Sequence, residues 1–258
     1  MSPRSVVVTG ASRGIGFGLV KNFLKNPEIQ IVIATARDAS NAEDLHLISD
    51  TRLHILELDI SSDESVDRFV GEITKILGDY GLNLLVNNAA IAVKYDMLVP
   101  NRSDLYKQLD VNLISLILFT QKMLPLLKLV SSLKTGDEFS ISRAAIVFIS
   151  SGAGSITLNT WGSGTFGSMA YKVSKAGLNM FVRSVAFDWK SDNILCVSFC
   201  PGWVLTDLAT PVKSLTDEEK KLRITVEEST ETLVNSFSKL NVSHNGGFYS
   251  SLLAPIEF

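Results

Sequence analysis

Tyr171 and Lys175 stand four positions apart in Tyr171-Lys172-Val173-Ser174-Lys175, a stretch whose spacing predicts helix. On a helix, residues i and i+4 share a face, so the phenol and the ammonium can meet. A fixed positive charge beside a phenol favours the phenolate, which predicts Tyr171 as a general acid or base near neutral pH. Far upstream, Thr9-Gly10-Ala11-Ser12-Arg13-Gly14-Ile15-Gly16 joins the first strand-like run to the first helical one. Glycines there admit unusual backbone angles and let phosphate approach the main chain, and a helix N-terminus adds free N–H groups and partial positive charge. The spacing differs from Gly-x-Gly-x-x-Gly, yet its place after the first strand predicts a dinucleotide site.

Two arginines refine that expectation. Arg13 lies in the loop, and Arg37 follows the second strand in Thr35-Ala36-Arg37-Asp38. An acid at the end of that strand would read a ribose 2′-hydroxyl, whereas arginine accommodates a 2′-phosphate. Here the acid comes only after Arg37, so NADP is expected over NAD.

The elements that must position these groups alternate along the chain. Ser5–Thr9, Ile29–Thr35, Leu82–Val86, Ala144–Ile149 and Ile194–Phe199 are continuous apolar runs of strand length. Ile15–Lys25 has helical spacing and stops at Asn26-Pro27. Ser61 with Glu64, and Thr225 with Glu228, read as capping boxes opening helices to about Gly78 and over Val226–Leu240. Apolar strands separated by helices predict a Rossmann-like, doubly wound parallel sheet with helices on both faces, a single α/β domain over 1–258, with ligands outside the carboxyl ends of the strands. Two stretches break the rhythm, Lys128–Arg143 and the glycine-rich Gly152–Ser168. Long loops in compact domains are often functional; a surface insertion is the alternative, more so for the first.

Composition sets limits. The 258 residues are 46% hydrophobic and 20% charged, with 24 basic against 27 acidic residues and a net charge of -3, so no nucleic-acid surface is expected. No apolar run approaches the roughly 20 residues of a membrane span; the nearest, Leu113–Phe119, is closed by Gln121 and Lys122. The N-terminal apolar run is too short for a signal peptide, so a cytoplasmic protein is expected. Cys196 and Cys200 on one strand would lie roughly 13 Å apart, too far to bridge, and read as small buried apolar residues. Histidines at 46, 54 and 244 form no metal-ligand cluster.

Taken in order, these residues resemble the short-chain dehydrogenase/reductase family over nearly the whole chain. Thr-Gly-x-x-x-Gly-x-Gly matches at 9 to 16, and Asp59 in Glu57-Leu58-Asp59-Ile60 matches the adenine-contacting acid of the third strand. Asn87-Asn88-Ala89 matches the Asn-Asn-Ala-Gly motif, with Ala90 replacing its glycine. Asn112 matches the structural asparagine of the central helix, Ser151 the catalytic serine, and Tyr171 with Lys175 the Tyr-x-x-x-Lys pair. Pro201-Gly202, followed by Val204 and Thr206, matches the Pro-Gly turn. The serine stands twenty residues before the tyrosine, against about a dozen in the family, so the intervening loop is longer than usual, and Ser150 competes with Ser151 for the place facing the site. The loop after the serines, the 201–207 segment and Asn245-Gly246-Gly247-Phe248 are similar to the sniffer-type carbonyl reductases.

The resemblance implies NADPH-dependent reduction of small aldehydes, ketones or quinones, with a small-molecule carbonyl partner, no nucleic acid, no membrane, and the homodimer common in the family. It assigns proton donation to Tyr171, oxyanion hydrogen bonding to Ser151, lowering of the tyrosine pKa and a ribose contact to Lys175, and a relay water to Asn112. Gly10, Ser12, Arg13, Gly14, Ile15, Gly16, Arg37, Asp59, Asn88, Ala89, Pro201, Gly202, Val204 and Thr206 would hold the cofactor together with Tyr171 and Lys175. The substrate pocket is expected between 91–104, 152–168 and 203–223, with Tyr95, Trp161, Phe166 and Trp203 as aromatic lining. Two alternatives stay open: an NADP-linked alcohol dehydrogenase, and an NADPH-binding sensor with incidental catalysis.

Overall fold

The computed structural model describes residues 2–136, 138–163, 168–208 and 215–258. Seven strands, β1 (Ser5–Val8), β2 (Ile31–Ala36), β3 (Leu53–Glu57), β4 (Leu84–Asn87), β5 (Ala145–Ile149), β6 (Leu195–Cys200) and β7 (Phe248–Ser250), pair in the order β3-β2-β1-β4-β5-β6-β7. Every pairing is parallel. The helices are α1 (Gly14–Leu24), α2 (Glu43–His46), α3 (Asp63–Leu77), α4 (Arg102–Leu109), α5 (Ser115–Ser132), α6 (Met169–Asp188), α7 (Asp217–Lys221) and α8 (Val226–Phe237).

The continuous apolar strands are buried on both sides because side chains alternate between faces. Val6, Val8, Val86, Val147 and Phe199 pack with Leu19 and Phe23 of α1 and Leu233 and Phe237 of α8. Val7, Ile33, Leu85, Ile146 and Phe148 pack with Phe69 of α3, Phe119 and Met123 of α5, and Leu178 and Val182 of α6. Each such fully buried side chain stabilises the fold by about 1.5–3 kcal/mol. The reversal of strand order between β1 and β4 opens a crevice at their carboxyl ends, where the glycine loop lies.

Some local expectations shift. Ser62, one residue later than expected, caps α3 by accepting from the Ser65 amide, and Ser61 turns back to Asp59 at 2.6 Å. The Thr225–Glu228 box forms as expected, but α8 ends at Phe237, short of Leu240. The first residues of Lys128–Arg143 extend α5. Arg143, at the far end of the stretch, is buried and donates to Ser131 Oγ at 3.0 Å, to the carbonyls of Ser131 at 3.1 Å and Lys134 at 2.9 Å, and to that of Gly136. A planar fork of five donors suits this task, since the last carbonyls of a helix have no partner within it. The stretch expected to be a polar loop is thus the capped end of a helix.

Helical hydrogen bonding runs without a break over Arg102–Ser132, through a π-turn at Asp110–Ile114, for 31 residues with a mean hydropathy of 1.7 in its most apolar part. The expectation that no segment approaches spanning length is therefore corrected. That apolar content is used in the core by Leu116, Phe119, Met123 and Leu127, and Lys122 on the outer side pairs with Asp67 at 2.6 Å.

Candidate active site

The glycine loop is tied to two strand ends. Its first residues hang on β2, with the amide of Gly10 donating to Thr35 Oγ1 at 3.3 Å and that of Ala11 to the Thr35 carbonyl at 2.7 Å. From β4 the Asn88 side chain donates to the carbonyls of Thr9 at 2.8 Å and Gly10 at 3.1 Å, while Thr9 Oγ1 accepts from the amides of Asn88 and Ala89. Asn88 therefore braces the loop with its side-chain nitrogen. Gly10 has φ +63, and a Cβ on Gly16 would lie 2.4 Å from the Gly10 carbonyl oxygen, so the turn closes only with glycine at both. Arg13 sits in extended conformation before α1, and Ile15 packs against the core from α1. Thr206 reaches over from beyond β6 to face Gly14.

Arg13 and Arg37 are exposed and make no ion pair among the described residues. Asp38 is occupied by Ser40 at 2.7 Å and by Asn41, which hold its carboxyl below the usual range. The acid next to Arg37 is thus spent within its own turn. Asp59, past the end of β3, accepts from the amide and hydroxyl of Ser61.

At the end of β5 the serine pair separates. Ser150 is buried and donates to Asn179 Oδ1 on α6 at 2.7 Å, and Ser151 hydrogen-bonds the Tyr171 phenol. Strand alternation points the two to opposite sides, Ser150 toward Asn179 and Ser151 toward the Tyr171 phenol. Lys175 is buried; its ammonium donates to the Ile149 carbonyl at 2.8 Å and lies 5.7 Å from the centre of the Tyr171 ring. Burial pushes the lysine down to about 8. It pushes the Tyr171 phenol up to about 12, against a lowering contribution from the Ser151 hydrogen bond. The expectation that Lys175 lowers the tyrosine is corrected: among protein groups desolvation dominates, and the phenol holds its proton at neutral pH.

Asn112 is buried behind the same site. Its side chain accepts from the Ile91 amide at 2.9 Å and donates to the Ile91 carbonyl at 2.9 Å and to Ser174 Oγ at 3.3 Å, so it ties the backbone after β4 to α6. Gln108 does the same work one turn earlier, on Ile91 and Val93. The π-turn carries Asn112 inward, and such turns are frequent at functional sites.

Three site residues escaped the sequence reading. Cys200 is half-buried and its Sγ accepts from the Gly152 amide at 3.1 Å; the buried-apolar reading holds for Cys196 alone. A Cβ on Gly154 would lie 2.8 Å from the backbone of Lys175, so this glycine sets how closely the loop meets α6. Gln108 was a third. No local signal marks any of them, because each is defined by a partner remote in sequence.

Pro201 is held by Ser229, which donates to its carbonyl at 2.7 Å; Gly202 has φ +91, and Val204 pairs with Ile224 in a short parallel bridge. Of the expected aromatic lining, Tyr95 is buried, Trp161 and Trp203 are exposed, and Phe166 lies outside the described residues. Arg223 stacks over Trp203 at 4.8 Å. An open groove beside Phe139, Phe187, Lys190 and Asn193 lies beyond the amino end of β6, at the opposite end of the sheet from Tyr171. No metal-ligand cluster occurs among the described residues.

Residues 4–217 match the family described as short chain dehydrogenase. The solved structure of Sniffer from Caenorhabditis elegans is 47% identical, superposes with a TM-score of 0.89 and covers 100% of both chains. The NADPH-bound carbonyl reductase from chicken fatty liver is 33% identical with a TM-score of 0.93, covering 100% of this chain and 95% of its own. An uncharacterized oxidoreductase of Saccharomyces cerevisiae is 32% identical over 256 residues, 94% of this chain and 93% of its own.

Proposed function

The chain belongs to the short-chain dehydrogenase family, and from that premise we propose that it is an NADPH-dependent carbonyl reductase acting on small aldehydes, ketones or quinones. The observation that carries the reading is the convergence of Ser151, a protonated Tyr171 and the buried ammonium of Lys175 at the carboxyl edge of β5, beside a glycine loop closed to any side chain at 16.

The cofactor fits what surrounds its expected place. Gly10, Ser12, Arg13, Gly14, Ile15 and Gly16 would take the phosphates on backbone N–H groups at the start of α1. Arg13 and Arg37, both without an acidic partner among the described residues, would take the 2′-phosphate. Asp59 would meet the adenine, Ala89 the neighbouring backbone face, and Pro201, Gly202, Val204 and Thr206 the nicotinamide end, with Lys175 near its ribose. Bound there, NADPH supplies the hydride that reduces the carbonyl carbon.

The chain's own groups manage the oxygen. Tyr171 donates its proton to the developing alkoxide, and the Ser151 hydroxyl hydrogen-bonds the same oxygen. A phenol held at about 12 is in the donor form at neutral pH, the form that carbonyl reduction requires. Lys175, down to about 8, exchanges protons near neutral pH and can resupply the tyrosine. Asn112 and Gln108 act by positioning the chain after β4.

We further propose a homodimer along α6, where Val173, Met180 and Phe187 recur every seven residues and are exposed by 50%, 68% and 63%. A cytoplasmic location accords with the two free cysteines. The test of the mechanism is Tyr171→Phe: turnover of a diketone should fall about a thousandfold while NADPH still binds. Near-normal turnover in that variant would refute the assignment.

A further inference from the structure

Three consecutive residues at the carboxyl end of β5 meet three side chains along one stripe of α6. The Ile149 carbonyl accepts from the Lys175 ammonium at 2.8 Å, the Ser150 hydroxyl donates to Asn179 Oδ1 at 2.7 Å, and the Ser151 hydroxyl hydrogen-bonds the Tyr171 phenol. Tyr171, Lys175 and Asn179 follow one another at four-residue steps, and such steps keep to one side of a helix. The first two serve the proton transfer, and Asn179 lies one turn beyond them.

Asn179 uses both ends of its amide. Its oxygen takes the Ser150 hydroxyl, and its nitrogen donates to the Gly154 carbonyl at 3.4 Å. The Gly154 amide in turn donates to the Ser151 carbonyl at 2.8 Å, and the Ser151 hydroxyl accepts from the Ala153 amide at 3.2 Å. One side chain thus holds the residue before Ser151 and the turn after it. A carboxamide suits this task because it accepts and donates at once. Gly154 sits so close to α6 that a Cβ would lie 2.8 Å from the Lys175 backbone, which keeps the turn within reach of Asn179.

Stability does not call for such a pair. Ser150 and Asn179 are both 2% exposed, and Leu178 and Val182 on the same helix are buried in the apolar core. Two buried polar groups must bond each other to offset their desolvation, and apolar groups of the same shape would leave the fold about as stable. What the pair adds is placement, since a hydrogen-bond donor to a developing oxyanion acts fully only when held within about 0.5 Å of its productive position.

We propose that Asn179 is a positioning residue for the reaction: by gripping the Ser150 hydroxyl and the Gly154 carbonyl, it fixes where the Ser151 hydroxyl stands against the Tyr171 phenol. The proposal rests on the carbonyl-reductase reading and adds a residue to it.

The test uses purified full-length protein, NADPH, and 2,3-butanedione or 1-phenyl-1,2-propanedione. Asn179→Leu keeps much of the volume and removes both bonds. It should lower kcat about tenfold and leave KM and the NADPH Kd within about twofold, because a misplaced Ser151 hydroxyl weakens the transition state without weakening binding. In a Ser151→Ala background the same substitution should cost less than about twofold, because the hydroxyl it places is gone. Ser150→Ala removes the bond from the strand side and should show the same loss with the same dependence on Ser151, which carries the test if Asn179→Leu does not fold. Amide hydrogen exchange at Ala153 and Gly154 should quicken in Asn179→Leu. An equal loss in both backgrounds would overturn the proposal and leave Asn179 a packing residue, as would an unchanged kcat in Asn179→Leu and Ser150→Ala. Failure of the wild type to oxidise NADPH with either diketone would instead count against the carbonyl-reductase reading itself and remove this role with it.

Discussion

Replacing Lys175 with methionine takes a charge out of the interior while keeping a side chain of similar length. Lys175 is 1% exposed, its ammonium donates to the Ile149 carbonyl, and burial lowers it from 10.5 to about 8. At about 1.4 kcal/mol per pKa unit, keeping it charged at pH 7 costs the folded state about 3 kcal/mol. Losing the hydrogen bond to Ile149 offsets about 1–2 kcal/mol of that, so the variant should be more stable by about 1–2 kcal/mol at pH 7, a rise in Tm of a few degrees. The sign follows from proton binding. The folded pKa lies below the unfolded one, so between about 8 and 10.5 the unfolded chain binds more protons and wild-type stability rises with pH relative to the variant. Below about 8 the penalty is complete and constant. Urea unfolding of both proteins at pH 7 and at pH 10 should show the advantage of Lys175→Met shrinking or reversing, with turnover lost throughout. A variant less stable than wild type at pH 7, or a difference independent of pH, would refute the reasoning that burial dominates this lysine.

Three further outcomes are expected. Arg37→Ala should reduce the preference for NADPH over NADH by about tenfold, measured as the ratio of Kd values, because a charged contact to the 2′-phosphate is removed. Arg143→Met should destabilise the protein by about 2–4 kcal/mol in denaturant unfolding, with NADPH affinity unchanged, since it removes the buried donor to Ser131 Oγ and to the carbonyls of Ser131, Lys134 and Gly136. Gly154→Ala should cut kcat more than it raises KM, because its methyl would displace the Lys175 backbone from 2.8 Å; equal kcat would argue against that contact setting the lysine's place.

The sequence by itself determined the parallel α/β sheet, the glycine loop, the Tyr171–Lys175 pair and the Thr225–Glu228 cap. All of these depend on near neighbours: apolar runs of strand length, an i to i+4 spacing, a residue three positions on. Tertiary structure decided what depends on distant partners. The side chain of Ser150 is taken by Asn179, and that of Asn112 by Ile91. The entry of Cys200 into the site rests on Gly152. The direction of the Tyr171 shift reversed expectation because local spacing announces a neighbouring charge but not how far water is excluded, and exclusion of water is a property of the whole packed fold.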